Sequence, residues 1–84
     1  MTKKQVQVFP KKEYQEQQIK PQEFEVIQLS DDEIQLNYGT KEAVSAVASG
    51  FNDKALDHIY IGDYGNGKYT IQIPLKYIST IQVL

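Results

Sequence analysis

Asp57 and His58 stand side by side, and an imidazole beside a carboxylate is the minimum equipment of a general base with an orienting partner. On a strand, neighbouring side chains point to opposite faces, so Asp57 is not placed to orient the His58 ring, and no cysteine or obvious serine nucleophile lies nearby in sequence. His58 is expected as a solvent-facing strand residue. Ser30-Asp31-Asp32-Glu33 gathers oxygen donors of the kind hard cations prefer, but a calcium loop alternates its ligands around a glycine and closes on a bidentate glutamate. That spacing is absent, and a solvated acidic turn is expected. Gly62, Gly65 and Gly67 match a phosphate-cradling loop only in number, because they lead from strand to strand and not into a helix N-terminus. These readings give no catalytic residue, no metal ligand set and no cofactor.

The least ordinary chemistry lies on a sheet face. His58–Asp63 and Lys68–Ile73 alternate with period two around Tyr64-Gly65-Asn66-Gly67, which predicts a hairpin. A three-residue loop at 65–67 pairs Ile61 with Ile71 and Ile59 with Ile73 and keeps one face apolar, whereas a two-residue turn would split the isoleucines between faces. Gly67 then takes a left-handed conformation, with Gly65 and Asn66 completing the turn. The opposite face carries His58, Tyr60, Tyr64, Lys68, Thr70 and Gln72. Tyrosines interleaved with a cation form stacking platforms for single strands, and equally supply stiff contact area with a polar tip for a partner protein.

Other elements must hold this hairpin. Gln5–Phe9 alternates as a short strand that Pro10 ends. Residues 11–22 contain two large apolar side chains, four glutamines and no helical stripe, the pattern of a loosely held arm. Phe24–Leu29 and Ile34–Tyr38 flank the acidic turn as a second hairpin, with Leu29 expected opposite Ile34 and Ile27 opposite Leu36. Thr40 as N-cap, Glu42 in the first turn, alanines at 43, 46 and 48, and Gly50 past the end predict a short helix at 41–49. The alternative is a small-residue strand bending at Gly50. Ile78–Leu84 is a last strand, and it either pairs with Gln5–Phe9 within one molecule or adds to a neighbour's sheet.

Bulk properties narrow the class. In 84 residues there is room for one core, taken as a single small domain in which 1–22 form an amino-terminal strand and flexible arm and 23–84 the compact part. Without cysteine, no disulfide supplements packing, and the cytoplasm is the expected compartment. The apolar runs fall far short of the roughly 20 residues that cross a bilayer, and no signal peptide is evident. Net charge is -2, and all nine cations are lysine, so the guanidinium fork that reads guanine edges is missing. Charge is uneven: residues 1–20 carry +3, 21–63 carry -7 and 64–84 carry +2.

A strand, a tight turn, a strand ending Ile71-Gln72-Ile73-Pro74-Leu75, and then Ile78 and Ile81 leading into a final strand resemble the closing half of Sm-like small β-barrels, over residues 57–84. The resemblance implies a one-turn helix at Pro74–Tyr77 that lets a strongly bent sheet close. The glycine- and aspartate-bearing RNA-binding signatures of that family have no counterpart here, so RNA binding does not follow from the fold.

Together these features predict an α+β or mostly β fold, a small, strongly bent antiparallel sheet or partly open barrel of about five to six strands. The function expected is a non-enzymatic protein-interaction or regulatory module, bacterial or phage-derived, with a homo-oligomer through edge strands as a further expectation. The alternative is an Sm-like single-stranded nucleic-acid-binding protein using the tyrosine and lysine face.

Overall fold

The computed structural model describes residues 3–84. Six strands, β1 (Lys4–Pro10), β2 (Gln22–Gln28), β3 (Glu33–Gly39), β4 (Tyr60–Asp63), β5 (Tyr69–Pro74) and β6 (Ile78–Val83), form one open antiparallel sheet in the order β4-β5-β3-β2-β1-β6. Helix α1 (Lys41–Ser49) and the single-turn α2 (Asp53–Leu56) connect β3 to β4, and one-turn 3-10 segments occupy Lys12–Tyr14 and Leu75–Tyr77. No helix among the described residues is long and apolar enough to cross a membrane.

Residues 41–49 are helical for the reasons legible in their sequence. Thr40 Oγ1 accepts from the Ala43 N–H at 3.1 Å, and Ala43, Val44, Val47 and Ala48 form the buried stripe. Gly50 caps the helix with φ -73, a conformation open to any residue. Its glycine is required by space instead, because a Cβ there would lie 2.1 Å from Ile19 Cγ1.

That contact corrects the expectation of a loosely held arm at 11–22. Ile19 is buried in the core, Glu16 N–H donates to Gly50 O at 2.8 Å, and Gln15 bridges Phe51. Asn52 fastens the same segment twice, with its backbone N–H donating to Tyr14 O (2.9 Å) and its Nδ2 to Glu13 O (2.8 Å). An arm poor in apolar residues is ordered here by one buried isoleucine and satisfied backbone groups.

The β2–β3 hairpin also departs from expectation. Gln28 pairs with Ile34 and Val26 with Leu36, one residue out of the expected register, and Leu29 is left 46% exposed in the loop. The run offers apolar residues on both parities, Phe24 and Val26 against Ile27 and Leu29. Phe24 decides between them, because its fully buried ring fills the space a Cβ at Gly39 would need, 2.1 Å from Phe24 Cε1. A one-residue slip turns every side chain over, so Ile27 faces away from the core.

β1 and β6 pair with each other, from Val6↔Val83 to Pro10↔Ile78. The core lies between the inner sheet face, with Val6, Val8, Phe24, Leu36, Ile71 and Ile73, and the helical layer, with Val44, Val47, Phe51 and Ala55.

Candidate interaction face

The β4–β5 hairpin carries most of the residues singled out from the sequence. Its register places Ile61 opposite Ile71 and Tyr60 opposite Gln72, as the parity argument requires. Tyr64 N–H donates to Lys68 O and Lys68 N–H to Gly65 O, both at 3.0 Å, closing a three-residue loop at 65–67. Gly65, Asn66 and Gly67 all have positive φ (76, 56 and 73), the conformation that favours glycine and asparagine. Asp63 Oδ1 accepts from the Gly65 N–H at 2.8 Å and stiffens the turn. Ile59 and Ile73 do not pair, because the chain before Tyr60 is still turning out of α2, with His58 N–H donating to Ala55 O.

On the outer face, Tyr60 and Tyr64 are 59% and 65% exposed. Gly62 leaves a bare floor beside the Tyr60 ring, since a Cβ there would lie 3.4 Å from Tyr60 Cε2 and 2.8 Å from Thr70 Cγ2. Tyr64 and Lys68 line a cleft of about 210 Å³ with Asn37 and Tyr38. Lys68 Nζ stands 5.5 Å from the centre of the Tyr38 ring, within cation–π range. Gln72 Nε2 donates to Gln35 Oε1 at 3.1 Å and continues the polar face onto β3.

Two residues assigned to this face do not serve it. Thr70 has the right parity but is fully buried, its hydroxyl 3.1 Å from Leu36 O and beside the Asn37 side-chain oxygen. His58 lies elsewhere, in the turn after α2 and not on a strand, with its ring stacked on Tyr77 at 6.0 Å and 21°. It lines a separate cleft of about 450 Å³ with Asp31, Asp32, Glu33, Pro74, Leu75 and Lys76. Among the described residues no group of three His, Cys, Asp or Glu side chains is placed to hold a metal ion.

Tyr38 is the residue that sequence reasoning missed. The β3–β5 register shifts between Leu36 and Gly39, and Tyr38 takes φ 60 in that irregularity, which turns its ring toward Lys68. A bulky residue with positive φ is uncommon and costs of order 1 kcal/mol. The one local hint was its setting between Asn37 and Gly39, both turn formers.

The Tyr69 phenol is held above its ordinary value of 10.0, first by desolvation, then by the charge of Asp63 and a hydrogen bond to it, and last by Glu42. No family model matches the chain, and neither a curated protein nor a solved structure matches it.

Proposed function

We propose that this chain is a small protein-interaction module without catalytic activity, and that its contact surface is the rim formed by Tyr38, Tyr60, Tyr64 and Lys68. The exposure of Tyr60 and Tyr64 on a hairpin whose turn is fixed by Asp63 carries the reading. Tyrosines presented on a stiff element lose little conformational freedom on contact, which is why they anchor protein interfaces. Charge favours a protein over a nucleic acid, because the rim holds one lysine, already over the Tyr38 ring, whereas a phosphate chain is held by several cations. A cytoplasmic bacterial or phage setting accords with the cysteine-free, lysine-only composition.

Capture from a source-like lysate, followed by titration of the recovered partner, tests the proposal. Tyr60→Ala and Tyr64→Ala should each weaken binding about tenfold or more, the loss typical of an anchoring aromatic, with the melting temperature nearly unchanged. Unfolding of either variant would mean that the tyrosines serve the core. Tight binding of a single-stranded oligonucleotide that falls steeply with salt and is lost in the same variants would overturn the protein partner in favour of the Sm-like alternative.

A further inference from the structure

An open sheet has two free edges, and this one treats them differently. The β4 edge is four residues long and carries Asp63, two of the features by which proteins discourage unwanted strand pairing. The β6 edge is six residues long, Ile78-Ser79-Thr80-Ile81-Gln82-Val83, with no charge, proline or glycine. Among the described residues no strand lies on its far side, and Val83 is 47% exposed.

Backbone phase shows which groups are available. Leu84 N–H donates to Gln5 O at 2.8 Å, so with Val6 opposite Val83 the groups of residues 84, 82 and 80 turn toward β1. Those of Val83 and Ile81 therefore point outward, where no strand among the described residues meets them.

We propose that the β6 edge is a homodimer interface, in which β6 of two copies pair antiparallel about a twofold axis at Ile81. In this register Ile81 faces its own copy, both with outward-turned backbone groups, and Thr80 faces Gln82 of the second copy. A second copy fits because the pairing is self-complementary: an uncharged strand meets its twin with no like-charge repulsion, and isologous contact closes the assembly at two. The pairing extends the sheet to twelve strands and does not depend on the tyrosine rim. Where the rim also binds, the dimer presents two rims at opposite ends of the sheet and engages a repeated partner with avidity.

Light scattering coupled to size exclusion, over a concentration series, reads the outcome. The wild-type chain should show twice the monomer mass of 9.6 kDa. Both Thr80 and Gln82 are exposed, so Thr80→Lys with Gln82→Lys should fold with an unchanged far-ultraviolet spectrum yet run as a monomer, because each pair now sets lysine against lysine. Thr80→Glu with Gln82→Glu should also be monomeric, and an equal mixture of the two variants should recover the dimer mass. If a double variant fails to fold, Gln82→Lys alone should still weaken dimerisation. Tyr64→Ala should remain dimeric even if it loses its partner, which separates this inference from the function proposed above. A wild-type monomer at every concentration, a dimer untouched by the lysines, or failure of the mixture to reassociate would each overturn it.

Discussion

The Asp63 carboxylate serves two neighbours, the Gly65 N–H of the turn and the Tyr69 phenol, and the second contact has a measurable consequence. Because desolvation and Asp63 raise the Tyr69 value above 10.0, the folded chain holds this proton more tightly than the unfolded chain does. The associated stability is fully present below the ordinary tyrosine value and is lost as the pH rises through the higher folded one. Phenolate absorbance should therefore show Tyr69 titrating above its ordinary value, and Asp63→Asn should lower it while flattening the alkaline fall in stability. A variant titrating like the wild type would remove Asp63 as a cause. At this scale the sequence was informative wherever backbone conformation limits the choice of residue. The Gly65-Asn66-Gly67 loop was legible because three consecutive positive-φ positions suit few residue types. Thr70 was not, because alternation reports which face a side chain takes and not whether the Leu36 carbonyl and the neighbouring tyrosine strand shut it off from water.

Elements were readable where a single period or cap fixed them, and misread where two parities competed. Thr40 and the buried alanine and valine stripe define α1 locally, and the β4–β5 hairpin has only one register that keeps Ile61 and Ile71 together. The β2–β3 register turned instead on Phe24 meeting Gly39, a contact fifteen residues apart that no local pattern contains. The segment after β1 makes the same point, since its place in the fold rests on Ile19 filling the space left by Gly50. Ile19→Ala should cost about 2–5 kcal/mol in urea denaturation, the range for emptying a packed aliphatic site. A loss below about 1 kcal/mol, comparable to an exposed substitution, would return residues 11–22 to the status of a loose arm.

For the whole molecule, the uneven charge along the sequence does not translate into a network that holds the fold. The one ion pair found among the described residues, Lys3 with Glu23 at 3.5 Å, joins two half-exposed side chains and is worth about 0–1 kcal/mol. Cohesion instead passes through β2, whose first part, Gln22–Phe24, pairs with β1 and whose second part, Glu25–Gln28, pairs with β3. One strand thus joins the β1–β6 half to the β3–β5–β4 half, with the buried Phe24 at the junction. Such sharing predicts all-or-none unfolding, because neither half retains a covered core once β2 leaves. Far-ultraviolet circular dichroism reports the backbone of both halves. Tyrosine fluorescence is weighted toward Tyr38, Tyr60, Tyr64 and Tyr69 in the second half, so the two denaturation curves should coincide with a weak dependence on salt. Fluorescence changing first would mean that the tyrosine-bearing half opens while β1 and β6 stay paired, and β2 would then be a hinge between two units and not the strand that unites them.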